Sequence, residues 1–319
     1  MTPLAFSMLR LLSDRRFHSG EDIAKSLDVS RASLSNAARS MQSCGITLDR
    51  VRGRGYRMNR DFEWLDRDAV VGMMGEKCRH FDIEIRDCID STSSELLRTN
   101  PPHGKVLAAE LQTGGRGRMG RTWFAEPGRS LTFSAAWKFD QGAGFLSGLG
   151  LATGLSLVRA MKACGIGDIE LKWPNDLLHR HRKLAGILIE VRGDMLGPSH
   201  VVIGIGINFS LSETMKERID QAVVSIDSLP FTNPGRNRLF AAILCELSDM
   251  LEIFGKEGFA PFREEWSASH ACHGKPVRIR LPSGKILEGR VCGVNEKGEI
   301  LLEDGQSFSS GEVSLRGKS

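Results

Sequence analysis

Apolar and polar positions along the first sixty residues alternate in a way that predicts three short helices followed by a hairpin. In LAFSMLRLLSD (4–14) apolar side chains recur every three to four positions, the period of a helix with one buried face. Ser19 and Asp22 stand three apart ahead of an apolar run, a capping-box spacing that opens a second helix in SGEDIAKSL. Ser30 opens a third, with Leu34, Ala37, Ala38 and Met41 on one face and Gly45 ending it. The stretch ITLDRVRGRGYRM (46–58) predicts two strands around a turn at Gly53-Arg54-Gly55. Only Asp28-Val29-Ser30 separates helices two and three, the tight turn of a helix-turn-helix, and the hairpin is its wing.

Further along, the period changes. KVLAAELQT (105–113), SLTFSAAWKF (130–139), RKLAGILIEV (182–191) and HVVIGIGINFS (200–210) read as strands, and LKWPNDLL (171–178) as a strand entering a polar turn. Helices are predicted at 146–165 and at 236–254, the latter with Leu239, Ile243, Leu247, Met250 and Phe254 on one core-facing stripe. An α/β body of this kind gathers its chemistry near strand ends, which singles out Asn175, Asp176, Lys183 and Asn208. From 274 to 306, β-residues alternate with Ser-Gly and Lys-Gly turns, predicting a small all-β barrel.

Charge divides the chain in the same place as the pattern. Residues 1–60 hold 11 Lys and Arg against 5 Asp and Glu, a net +6; the remaining 32 and 34 give −2. The whole positive excess therefore sits on the helix-turn-helix head, as in a nucleic-acid-binding module on a neutral body. The polar face of its third helix presents Arg31, Ser33, Ser35, Asn36 and Arg39 to a major groove. Arg52 and Arg54 of the wing, with Arg50 and Arg57, suit phosphate contact. The seven cysteines are odd in number, scattered and never spaced as CxxC, the pattern of reduced thiols in a cytoplasmic protein. No apolar run reaches the length of about 20 residues that spans a bilayer, and no signal-peptide pattern opens the chain, so no membrane partner is expected.

The loop LQTGGRGRMGRTW (111–123) contains GxGxxG, the spelling of a dinucleotide-binding turn. That turn needs a helix after the glycines. Here Pro127-Gly128 interrupts, and 130–139 alternates as a strand, so the fingerprint fails. Four glycines among residues 114–120 instead describe a mobile loop. Arg116, Arg118 and Arg121 within it imply an anion that orders it, phosphate above all, because arginine binds phosphate bidentately and keeps its charge.

Taken together, DSTSSEL (90–96), GRGRMGRTW (115–123), KWPND (172–176), KLAGILIE (183–190), GIGIN (204–208) and GEVSLR (311–316) resemble the bifunctional biotin protein ligases that double as biotin operon repressors. The likeness follows the family's order over essentially the whole chain. It implies an α+β multidomain protein: a winged helix-turn-helix at 1–62, a central α/β mixed-sheet ligase domain at 63–271, and a small SH3-like β-barrel at 272–319. It implies ATP and Mg²⁺, biotin as substrate, and biotinyl-5′-AMP as intermediate and corepressor. The implied partners are the biotin carboxyl carrier protein of acetyl-CoA carboxylase, operator DNA, and a second copy of the chain when the adenylate is bound.

Carried over by motif, the resemblance assigns biotin to Ser91, Thr92, Ser93, Gln112, Gly115, Arg116, Gly117, Arg118, Lys183 and Gly186. ATP falls to Arg116, Arg118, Arg121, Trp123, Asn175, Lys183, Asn208 and Arg316. Arg118, Lys183 and Asp176 are the implied catalytic residues, Asp176 also as a Mg²⁺ partner, and the arginine loop is implied to fold over the adenylate. Ser93 stands where the family usually has Asn, and Met119 where a basic residue is common. Three other readings compete: a biotin-sensing regulator without ligase activity, a ligase without a repressor role, and a lipoate ligase. Arg116, Arg118 and Lys183 disfavour the first, the +6 head the second, and the loop sequence the third.

Overall fold

The structure, a computed structural model, describes residues 1–193 and 197–315. The head consists of α1 (Pro3–Leu12), α2 (Gly20–Ser26), α3 (Arg31–Gln42) and the hairpin β1 (Leu48–Val51) and β2 (Gly55–Met58). Each helix starts on a side-chain cap: Thr2, Ser19 and Ser30 accept the backbone N–H groups of Ala5, Asp22 and Ser33 at 3.0–3.2 Å. Such caps contribute about 1 kcal/mol each. Met8, Leu9, Ile23, Leu34, Met41 and Met58 close a core of the head's own.

The wing differs from the sequence reading by one position. Val51 pairs with Gly55, and Arg54 donates its N–H to the Val51 carbonyl at 3.0 Å, so the turn is Arg52-Gly53-Arg54. Gly55 already belongs to β2. It is glycine because Tyr56 exchanges backbone hydrogen bonds with His18 at 2.9 Å, and a Cβ at Gly55 would lie 1.9 Å from the His18 carbonyl oxygen.

The body runs α4 (Arg67–Met74), β3 (Asp82–Ile89), α5 (Thr92–Thr99), β4 (Lys105–Gln112), β5 (Ser130–Phe139), α6 (Leu149–Ala163), β6 (Glu170–Lys172), β7 (Asp176–His179), β8 (Arg182–Gly193) and β9 (Ser199–Asn208). After these come α7 (Glu213–Arg218), α8 (Arg236–Glu257) and α9 (Arg263–Ala268). The strands form one seven-stranded sheet, ordered β3-β4-β5-β9-β8-β7-β6. Only β3 and β4 run parallel, so the expected mixed sheet is present. Helices α6 and α8 cover one face, with Phe133 and Phe139 of β5 against Phe240 and Phe254 of α8. The predicted stripe on α8 is buried throughout. The opposite face carries α5, packed through Leu96 onto Leu107, Ala136 and Val202.

Residues 60–66 join head to body through polar contacts, some partly and some fully buried. Glu63 accepts the N–H groups of Arg236 and Asn237 at the start of α8. Leu65 donates its N–H to Glu110 at 2.7 Å, and Glu110 pairs with Arg236 at 2.8 Å, both side chains 1% exposed. Arg60 donates to the Pro127 carbonyl at 2.8 Å, and burial pushes its guanidinium down to about 10.

The tail forms β10 (Pro276–Arg280), β11 (Ile286–Val294), β12 (Ile300–Leu302), β13 (Ser307–Phe308) and β14 (Glu312–Leu315). Their order is β13-β12-β11-β10-β14. The expected closed barrel is replaced by an open antiparallel sheet. β13 has only two residues and pairs with β12, and among the described residues no ladder joins it to β14. Among the described residues no helix is long and apolar enough to cross a membrane.

Candidate active site

Strand alternation builds the floor of a cavity of about 730 Å³. Along β9, Ile203, Ile205 and Ile207 are buried, while Gly204, Gly206 and Asn208 point to the other face. Register places Ser134 of β5 and Leu188 of β8 beside Gly204, and Thr132 and Gly186 beside Gly206. The result is a strip of small and polar residues under the cavity.

One end is a nest of hydroxyls and an amide at the start of α5. Ser91 caps that helix by accepting the Ser94 N–H at 3.3 Å. Thr92 donates its N–H to Gln112 Oε1 at 2.8 Å, and its hydroxyl lies 2.7 Å from that of Ser134. The Ser93 hydroxyl lies 2.9 Å from the same Ser134 oxygen. A Cβ at Gly204 would come within 2.6 Å of Ser93 Oγ, so glycine makes room for this nest.

The arginine loop supplies the wall above. Gly114 donates to the Asp90 carbonyl, Gly117 to Arg121 and Trp123 to Gly115, at 2.7, 2.7 and 2.9 Å. Arg116 pairs with Glu190 at 2.6 Å, and Arg121 pairs with Glu312 of β14, tying the loop to the tail sheet. Arg118 turns inward and donates to Asn175 Oδ1 at 3.3 Å; Asn175 in turn donates to the Ile187 carbonyl at 2.8 Å. Burial holds the Arg118 guanidinium below its ordinary range, while Asp176 and Glu312 pull it back up. Met119, at the loop's tip, is 66% exposed.

Trp123 lies flat on the bare part of the floor. A Cβ at Gly206 would meet its Cε2 at 2.3 Å, and one at Gly186 would meet its Cζ3 at 3.4 Å. Its indole N–H is buried with no protein acceptor. Lys183 lies 5.9 Å from the indole centroid and pairs with Asp176 at 2.8 Å, both side chains largely buried. Two cations and one carboxylate thus meet in a partly dry space, an arrangement that attracts oxyanions.

Of the sequence-selected residues, Ser91, Thr92, Ser93, Gln112, Arg116, Gly117, Arg118, Arg121, Trp123, Asn175, Asp176, Lys183, Gly186 and Asn208 all line this one cavity. Gly115 stands behind it, under the Trp123 carbonyl. Asn208 also braces the floor, its amide 3.3 Å from the carbonyls of Lys183 and Val224. Arg316 falls outside the described residues. On the head, Arg31, Asn36, Arg39, Arg52 and Arg54 are exposed and Ser33 and Ser35 half-buried. Arg54 also lies over Phe17, 4.4 Å from the ring centroid. The sequence reading missed Ser134, the glycines at 204 and 206, residues 218–221 and 223, and Arg280 of the tail sheet, all of which line the cavity. Pairing of strand residues 16 to 74 positions apart brings the strand residues among these together. The alternation of Ile with Gly in GIGIN was the one local signal.

Comparisons with known proteins agree with the geometry. Residues 85–208 match the Biotin/lipoate A/B protein ligase family, 5–57 an HTH domain, and 272–316 the Biotin protein ligase C terminal domain. The chain is 32% identical to the bifunctional ligase/repressor BirA of Salmonella typhimurium, over 99% of this chain and 98% of that one. The biotin--[acetyl-CoA-carboxylase] ligase of Mycobacterium tuberculosis is 32% identical over 75% of this chain and 88% of its own. Among solved structures, the biotin protein ligase of Aquifex aeolicus in complex with biotin and ATP superposes with a TM-score of 0.62 at 28% identity, covering 74% of this chain and 98% of that one. The chain belongs to the biotin protein ligase family, alongside its bifunctional ligase/repressor members.

Proposed function

We propose that this protein activates biotin with ATP to biotinyl-5′-AMP and transfers biotin to a lysine of the biotin carboxyl carrier protein of acetyl-CoA carboxylase. One observation carries the reading: a single cavity joins a hydroxyl and amide nest to an indole floor, with Arg118 and Lys183 on its walls. A ureido ring needs both donors and acceptors, and Thr92, Ser93, Ser134 and Gln112 supply them, with buried Ser91 beside them. The biotin carboxylate oxygen attacks the α-phosphorus and pyrophosphate leaves with the electron pair of the broken bond. Arg118 and Lys183 offset the charge gathered on carboxylate and phosphate, and Arg116 and Arg121 guard the loop's outer edge. Trp123 offers its free face to adenine. Asn175 and Asn208 frame the nucleotide, with Gly115, Gly117 and Gly186 giving the backbone clearance. The amine of the carrier lysine then attacks the acyl carbon, loses a proton and expels AMP. Closure of residues 115–123 keeps water from the mixed anhydride in between.

ATP enters as its magnesium complex. Asp176, on the cavity wall beside Lys183, is the protein carboxylate we assign to it. Arg316 is assigned to the phosphates by motif alone. The units are taken as 1–62, 63–271 and 272–319, the last as an open variant of the SH3-like barrel, in a cytoplasmic protein.

The head makes the protein a repressor of biotin synthesis genes with biotinyl-5′-AMP as corepressor, acting as a homodimer on two half-sites. Its exposed arginines and compact, separately cored winged helix support this. Labelled biotin should appear on the carrier lysine only with ATP present, and lipoate should give nothing. Operator DNA should shift in a gel more readily when biotinyl-5′-AMP is added. Carrier labelling without any DNA shift would leave a ligase alone, and the reverse would leave a sensor.

A further inference from the structure

The tail sheet contributes more than a boundary to the cavity. Along β10, Val277 and Ile279 are buried in the core, while Arg278 and Arg280 face out. Arg278 is held by Glu288 at 2.9 Å. Arg280 lines the cavity, yet among the described residues its guanidinium makes no hydrogen bond, ion pair or ring contact. Its cross-strand neighbour is Glu312, whose carboxylate is taken by Arg121. Among the described residues the cavity's other arginines are engaged, by Glu190, Asn175, Glu312 or the ring of Phe124. Lys183 is engaged by Asp176, so among the described residues Lys172 is the other lining cation without an ion pair.

An uncompensated guanidinium lining the same cavity as half-buried Arg118 raises the positive potential there, which is favourable only when an anion arrives. Arg118 and Lys183 are already committed to the carboxylate and α-phosphate. The reaction also releases pyrophosphate, a small polyanion that gains charge as the bond breaks. We propose that Arg280 binds the β- and γ-phosphates of ATP, and hence the departing pyrophosphate, so that the tail sheet takes part in adenylation. As the bond from the α-phosphorus to the bridging oxygen breaks, the electron pair goes to pyrophosphate, and Arg280 meets that charge. This rests on the adenylation reading of the cavity.

The test compares the full-length wild type with Arg280→Gln, Arg280→Lys and Arg278→Gln, all on an exposed strand face, with melting curves as a check on folding. Calorimetric titration with sodium pyrophosphate should show binding weakened about tenfold or more in Arg280→Gln, the worth of one charge-assisted phosphate contact. In pyrophosphate–ATP exchange its KM for ATP should rise by a similar factor, while KM for biotin and transfer from supplied biotinyl-5′-AMP stay unchanged. Arg280→Lys should recover most of the binding, and Arg278→Gln should behave as wild type. Unchanged pyrophosphate binding and ATP KM in Arg280→Gln would overturn the proposal. So would a defect confined to transfer from supplied adenylate, which would place Arg280 against the carrier protein instead. A wild type that binds pyrophosphate through Arg280 but shows no biotin-dependent exchange would support this phosphate site and refute the adenylation reading.

Discussion

Replacing Gly206 by alanine adds one carbon to the floor of the cavity, and the structure says where its cost falls. The new Cβ would lie 2.3, 2.6 and 2.8 Å from Cε2, Cζ2 and Cδ2 of Trp123. Unstrained carbon contacts are about 3.5–4.0 Å, so the indole must lift by roughly 1 Å or more. Gly206 does not have a positive φ, so the strand itself accepts alanine and the ring takes the strain. The Trp123 main chain is pinned, because its backbone N–H donates to the Gly115 carbonyl and its own carbonyl crowds Gly115, so the displacement falls on the side-chain torsions of the indole. Overpacking of this kind costs about 1–3 kcal/mol. In exchange assays Gly206→Ala should therefore raise KM for ATP about fivefold or more, and leave KM for biotin within about twofold. In denaturant it should lose about 1–3 kcal/mol. With Trp123→Ala already present, the same substitution should cost less than about 0.5 kcal/mol, because the partner it clashes with is gone. An equal cost in both backgrounds, or an unchanged midpoint and KM, would refute the reasoning.

Three further outcomes follow from other parts of the fold. Glu110→Gln strands the fully buried Arg236 guanidinium and should cost about 3–5 kcal/mol, whereas Glu110→Met with Arg236→Met should recover most of it, read from denaturant midpoints. Burial pushes the His270 imidazole down to about 3, with His273 and Lys275 repelling its proton further. Its folded value lies below that of the unfolded chain, so the unfolded state takes up a proton that the native state refuses. The stability held by neutral His270 is complete above about pH 6.5 and is lost as pH falls toward 3. Between pH 7 and 5 the wild type should lose about 2 kcal/mol more than His270→Asn in chemical denaturation. Gly55→Ala drives a Cβ into the His18 carbonyl at a positive φ, so DNA retardation should vanish while pyrophosphate exchange persists.

Local chemistry in the sequence located the head, the sheet and fourteen of the residues that line the cavity. Caps at Ser19 and Ser30, the apolar stripe of α8 and the strand pattern of GIGIN are all short-range signals, and the structure carries each of them. What stayed hidden depends on register. The wing turn moved by one residue because Tyr56 pairs with His18, a contact 38 positions away. Gly206 looked like an ordinary strand glycine until pairing set it opposite Gly186 under the indole. Arg280 sits in a β pattern with nothing to mark it, and only the docking of the tail sheet on the cavity gives it a partner chemistry. The open edge at β13 was equally illegible, since strand composition predicts ladders but not whether the last one closes.

Pyrophosphate–ATP exchange by the purified full-length protein tests the central claim most directly, run with biotin, with lipoate and with no acid. Exchange that appears with biotin, is absent with lipoate, and falls about 10²–10³-fold in Lys183→Gln is the predicted result. Exchange with lipoate instead, or none with any acid, would contradict the assignment of this cavity to biotin adenylation.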